Sequence, residues 1–177
     1  MTFFKKNELK LLWPFYLDHL ISPMLFFMPA FMVLYFRDLG FSMFQVGILI
    51  ALAPLFSLLF EIPTGAIADL YGRKFSVLLS YLIASTCLSL LFFFDDFYAI
   101  AILFSVLGIG VTLSSGAKEA WTVDLVKNKD LLHSYFPKAQ GLDSFGLIVS
   151  GFIGAFFVKT YGMPIIWIAG GLSFFVA

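Results

Sequence analysis

Charge is scarce in this chain. Only 12% of its 177 residues are Asp, Glu, Lys or Arg, against about a quarter in a soluble globular domain, so this inventory cannot build a water-facing surface. Formal net charge is zero and no block of like charge occurs, which removes the electrostatic footprint that nucleic acid requires. Cysteine appears once, at Cys87, so no internal disulfide can form, and that thiol reads as a small hydrophobe within an apolar run. The two histidines, His19 and His133, are too few and too far apart to suggest a metal cluster. No Ser/His, paired-aspartate or His-Glu-x-x-His arrangement stands at catalytic spacing. Neither enzyme chemistry nor a cofactor is expected.

What is abundant is apolar. Hydrophobic residues make up 61% of the chain, and 24 of them are phenylalanine. A bilayer core needs about 20 mainly apolar residues per helix. Five segments meet this, at 11–36, 45–68, 75–94, 98–126 and 139–158. A sixth begins near Met163 and is still apolar at Ala177, so the chain is expected to stop inside a sixth helix. The first run follows Lys5, Lys6 and Lys10, as a signal peptide would, but it exceeds the ~7–15 residues of a signal core and ends on no small-residue cleavage pattern. The ~10-residue alternating strands of a membrane β-barrel are absent.

The charges between spans orient the chain. Nine basic residues fall on one side: Lys5, Lys6, Lys10, Arg73, Lys74, Lys118, Lys127, Lys129 and Lys138. Only Arg37 and Lys159 fall on the other. This positive-inside bias places the N-terminus, the 65–74 turn and the 127–138 segment in the cytoplasm of a multi-pass cell-membrane protein. The outer turns are tight, so consecutive helices are antiparallel neighbours with no extramembrane domain.

The turn between the second and third spans is the most specific feature. It reads Gly65-Ala-Ile-Ala-Asp-Leu-Tyr-Gly-Arg-Lys74. Gly65 and Gly72 permit close helix approach and a sharp turn, and Asp69 and Arg73, four apart, can pair if the helix persists. The segment resembles the Gly-x-Leu-Ala-Asp-Arg-x-Gly-Arg-Lys loop of the major facilitator superfamily. It departs at Ile67 and at Leu70, where a basic residue is usual.

The resemblance implies an all-α fold: the N-terminal six-helix half of a twelve-helix transporter, with spans 1–3 and 4–6 as inverted repeats. It implies secondary active transport of a small molecule, driven by an ion gradient, by rocking of two halves around a central site. A C-terminal six-helix half, the bilayer, the substrate and, as one driving ion, protons are the implied partners. The family's cytoplasmic lock carries over to Gly65, Asp69, Gly72, Arg73 and Lys74, with Asp124 at the end of span four as the partner of Arg73 and Glu119 as second choice. Two drug–proton antiporter motifs are missing: the expected span-four arginine is Phe104, and the expected Gly-Pro pair is Ser150-Gly151.

Five further residues, Asp18, His19, Glu61, Glu119 and Asp143, are candidates for a substrate or coupling site. Asp18 and His19 lie about two turns into span one, between Pro14 and Pro23, at ~10 Å from its inner end. A carboxylate there must be paired or protonated, since an isolated charge in lipid costs several kcal/mol; entry into the bilayer later than Leu11 would instead leave Asp18 at the interface. Glu61 precedes Pro63, about a turn inside the inner edge, and reads as a gate or structural ion pair ahead of a coupling group. Asp143 shares one face of span five with Ala139, Gly146, Ser150 and Gly154, a small-residue stripe suited to packing. Lys118 and Glu119, near the inner end of span four, read equally as interfacially solvated charges or as functional groups, and Trp121 fits an interfacial belt. Phe26, Phe27, Phe31, Phe36 and Phe56 line a site or, more simply, face lipid. The competing function is a non-transporting membrane scaffold or partner that keeps the fold.

Overall fold

The computed structural model describes residues 8–126 and 129–177. Lys5, Lys6 and Lys127 of the charge pattern lie outside the described residues, as does the side chain of Lys129. The described residues form eight helices: α1 (Glu8–Leu25), α2 (Met28–Asp38), α3 (Met43–Tyr71), α4 (Arg73–Leu91), α5 (Phe97–Thr112), α6 (Ala117–Leu125), α7 (Lys129–Tyr161) and α8 (Ile165–Val176). Five apolar stretches are long enough to cross a bilayer, with α1–α2 and α5–α6 each counting as one, and α8 is a shorter apolar helix.

Local sequence explains the breaks. The first span was expected to run unbroken, but it interrupts at Phe26-Phe27, between Pro23 near the end of α1 and Pro29 at the start of α2. Proline has no N–H to continue the ladder and clashes with the preceding turn. The fourth span likewise breaks, through turns at 113–116, and restarts after Gly116 in the left-handed region (φ 69°). The fifth extends well before its expected start at Ala139, because α7 opens at Lys129. Lys138 is therefore a helical residue, not a loop charge. The turns on the far side are capped: Ser42 and Gln45 exchange side-chain-to-backbone bonds of 3.3 and 2.9 Å, and Asp96 accepts from the Tyr98 and Ala99 amides at 2.9 and 3.0 Å. Each satisfies backbone donors that the helix start would leave open.

The packing order has an internal symmetry. The main contacts pair α3 with α5, α1 with α7, α4 with α8 and α4 with α5. In span numbers these are 2 with 4, 1 with 5, 3 with 6, and 3 with 4. Exchanging 1 for 4, 2 for 5 and 3 for 6 maps the set onto itself, with α1 against α8 completing the last pair. The two broken spans, first and fourth, are also exchanged. Two three-helix units of opposite sense pack this way.

One approach is set by a missing side chain. Gly108 on α5 lies so close to α3 that an added Cβ would strike the Ala53 carbonyl, and Ser57 Oγ donates to the Gly108 carbonyl at 2.8 Å. Small residues bring helix backbones together where lipid supplies no hydrophobic drive. A core of Tyr35, Phe36, Phe104 and Trp167 fills one end of the bundle, with ring centroids 5.3–6.1 Å apart. Phe104 is buried in it, so an arginine at that position would be a buried charge. Ile62, Phe152 and Leu58 meanwhile stand 87%, 77% and 70% exposed, a perimeter that only lipid or another apolar surface can cover.

Candidate functional site

Polar groups gather inside the bundle where α1, α4, α6 and α7 meet. Asp18 is nearly enclosed, with 7% of its side chain accessible. Its Oδ1 accepts from Ser22 Oγ, one turn along α1, at 2.6 Å. Its Oδ2 faces Lys118 Nζ at 2.5 Å and accepts from the Tyr81 hydroxyl at 3.4 Å. The Lys118 ammonium lies 5.9 Å from the Tyr81 ring centroid, within reach of its electronegative face. The break at 113–116 makes this possible, since it restarts α6 with Lys118 as its second residue. Interfacial solvation does not describe Lys118: it points inward onto Asp18.

Asp18 and His19 do not act on one another. Adjacent helix positions project about 100° apart, and His19 turns to α7, where Nδ1 lies 2.8 and 2.9 Å from the two oxygens of Asp143. Tyr135 packs edge-on to the His19 ring at 6.0 Å. The small-residue stripe of α7 serves packing, as expected, and its partner is the first span: Ala139 and Ser150 are buried, and Gly146 and Gly154 abut Pro23 and Phe27. The result is two polar bridges side by side, one from α1 to α6 and one from α1 to α7.

Cavities flank these bridges. One of about 270 Å³ lies between Asp18, Ser22, Phe26, Tyr81, Lys118 and Phe174 and also reaches Asp143. A second, of about 230 Å³, lies toward Leu11, Phe15, Trp121 and Leu125 and shares Asp18, Tyr81 and Lys118 with the first. A third, of about 120 Å³, holds His19, Lys118, Glu119, Tyr135 and Asp143. The Asp18–Lys118 bridge is thus a partition between spaces, and Lys118 borders all three. Of the aromatic candidates, Phe26 lines a cavity, whereas Phe27 and Phe36 are buried in the core and Phe56 stacks on Phe60.

A polar cluster with no forewarning in the sequence ties α1 to α7. Glu8 is fully buried and accepts from Tyr16 at 2.5 Å and from Lys138 at 2.7 Å, with Ser134 alongside. Tyr16 is two turns from Glu8, and Ser134 and Lys138 are one turn apart, so each half is a helix face. Nothing local joins the halves across more than a hundred residues.

At the end of the bundle that bears the 65–74 turn, Gly72 adopts φ 93° between α3 and α4. That conformation favours glycine, and it starts α4 with Arg73. Arg73 reaches Asp124 Oδ2 at 2.7 Å and the Ala120 carbonyl at 3.1 Å, and Lys74 lies over the Trp121 ring at 6.0 Å. Three expectations need correction. Asp69 and Arg73 do not share a helix face, because Gly72 ends the first helix between them; Asp69 is exposed and has no ion pair among the described residues. Gly65 brings no helix close, since a Cβ there would meet nothing within 4 Å. Glu61 is exposed and forms no ion pair among the described residues, so it is not a structural bridge within this bundle. Glu119, also exposed, borders the smallest of the three cavities and leaves Arg73 to Asp124.

Five apolar spans, two of them broken, with paired charges on a cavity between them, describe a multi-pass helical membrane protein. The family follows from comparison with known proteins: residues 19–177 match the Major Facilitator Superfamily, and the chain belongs to it. It is also similar to YxaM of Bacillus subtilis (strain 168), described as an uncharacterised MFS-type transporter, with 30% identity over 126 residues. That match takes in 68% of this chain and 31% of YxaM, so the aligned stretch corresponds to about a third of that relative.

Proposed function

We propose that this chain forms the N-terminal six-helix half of a secondary active transporter, which moves a small molecule across the cell membrane by alternating access. The carrying observation is the Asp18–Lys118 pair, opposite charges at 2.5 Å on the partition between two cavities. Ionisable groups within membrane spans are expensive and mark substrate or ion pathways. Well-packed apolar side chains would serve a purely structural role at lower cost. Asp18 is the coupling carboxylate in this reading, charged against Lys118 in one state and proton-bearing in another. Arg73 and Asp124 are the lock between helix ends, exposed enough to part and rejoin, and Gly72 sets the turn that presents Arg73. A second six-helix half supplies the opposing wall of the cavity. The N-terminus and the 65–74 turn face the cytoplasm, the side toward which the basic residues are biased.

The test uses the full-length protein in proteoliposomes, a metabolite extract and an imposed pH gradient, with accumulated compounds read by mass spectrometry. Wild type concentrates at least one metabolite. Asp18→Asn inserts normally and loses that accumulation. Gradient-dependent accumulation by Asp18→Asn at the wild-type level refutes the coupling role. Failure of the wild type to concentrate any metabolite favours the scaffold alternative.

A further inference from the structure

We infer that Lys118 is the substrate-binding cation of this cavity and that the substrate is an organic anion, a carboxylate with an apolar body, which takes Lys118 from Asp18. The inference rests on the transport reading above. Among the described residues, Lys118 is the only lysine or arginine lining the three cavities, and it borders every one. The two carboxylate side chains lining the largest of these three cavities are already engaged. Asp143 places both oxygens on His19, and Asp18 takes Ser22 on one oxygen and Lys118 with Tyr81 on the other. A cationic ligand would have to strip those partners away.

An anion meets a different situation. The Lys118 ammonium has three N–H donors and a single carboxylate partner among the described residues, Asp18. Its side chain is 23% accessible while that of Asp18 is 7% accessible, so the cation is the more open member of the pair. The walls beside it, Pro23, Phe26, Leu147 and Phe174, are apolar and suit a hydrophobic body rather than a small hydrated ion. Exchange of one carboxylate for another never leaves the ammonium bare. The released Asp18 keeps Ser22 and Tyr81 as neutral donors. Among the described residues, the other titratable side chains around this cavity are Lys118 from α6, now taken by the substrate, Tyr81 from α4 and the His19–Asp143 bridge between α1 and α7; from α8 comes the hydroxyl of Ser173. One proton from bulk water enters with the anion, which leaves the charge of the site unchanged.

The test compares benzoate, benzamide and benzamidine, which are near-isosteric and differ in charge, by titration calorimetry on the full-length protein. Benzoate should bind about tenfold or more tightly than the other two, the scale of a charge-assisted hydrogen bond, with a proton taken up as read from buffers of different ionisation enthalpy. Lys118→Arg should retain benzoate binding. Lys118→Gln should lose it, and so should Lys118→Gln combined with Asp18→Asn, which guards against misfolding by leaving neither charge unpaired. Preference for benzamidine, benzoate binding that survives in the double variant, or no binding of any probe at millimolar concentration would each overturn the anion assignment. A Ser22→Cys variant treated with a charged thiol reagent separates the two readings. A reactive thiol without benzoate binding sinks only the anion assignment, whereas an unreactive one removes the water-accessible cavity and sinks transport as well.

Discussion

Removing one charge of the Asp18–Lys118 pair should cost far more than removing both. At 2.5 Å, with an effective dielectric near 20, the attraction is roughly 6–7 kcal/mol. Burying the two ions costs several kcal/mol each, so the pair as a whole is close to break-even. A single neutralisation lifts the attraction and keeps the burial cost of the survivor, a loss of about 3–5 kcal/mol. In Asp18→Asn the bare group is the Lys118 ammonium, which retains the Tyr81 ring. In Lys118→Gln it is the Asp18 carboxylate, which retains Ser22 and Tyr81. At about 2 °C per kcal/mol or more for a unit of 150–250 residues, each single variant should melt roughly 6 °C or more below wild type. The combined variant should return to within about 2 °C of it, on the same scale. Tryptophan fluorescence during a thermal ramp in detergent suits the measurement, because Trp121 borders the cavity beside Lys118. Additive losses in the double variant would show that the two charges are held by other partners and that the partition is not an ion pair.

Arg73 and Asp124 are 41% and 61% accessible, so Arg73→Ala and Asp124→Ala should each cost under about 1 kcal/mol in melting while impairing transport, with the double variant little worse than either single; additive transport losses would show independent roles. Gly108→Leu should destabilise by about 1–3 kcal/mol or more, since it drives a side chain into the α3 backbone, whereas Gly65→Ala should be neutral or stabilising by up to about 1 kcal/mol; equal effects in a melting assay would contradict the packing of α3 on α5. In a Cys87→Ser background, single cysteines at Asp95 and Gly162 should react with an impermeant thiol reagent from outside the cell and one at Asp69 only from inside; the reverse pattern overturns the orientation.

Composition alone placed this chain in lipid, because scarce charge and long apolar runs leave no other solvent for its surface. Span number and the 65–74 motif were legible for the same reason: hydropathy and a contiguous turn are one-dimensional signals. The partner of Arg73 also came from the sequence, through resemblance, and Arg73 and Asp124 do meet. The breaks in the first and fourth spans were half-visible, in Pro23, Pro29 and Gly116, but hydropathy averages across a break that keeps its apolar character. What the sequence could not supply was side-chain direction. Asp18 and His19 are neighbours in the chain and part company in space, because successive helix residues project about 100° apart. Lys118, read as interfacial by counting residues from Tyr98, turns inward because the 113–116 break resets the register of α6. Glu8 and Lys138 meet only because α1 packs along α7. Pairing between helices is a property of which faces touch, and only the tertiary structure decides that.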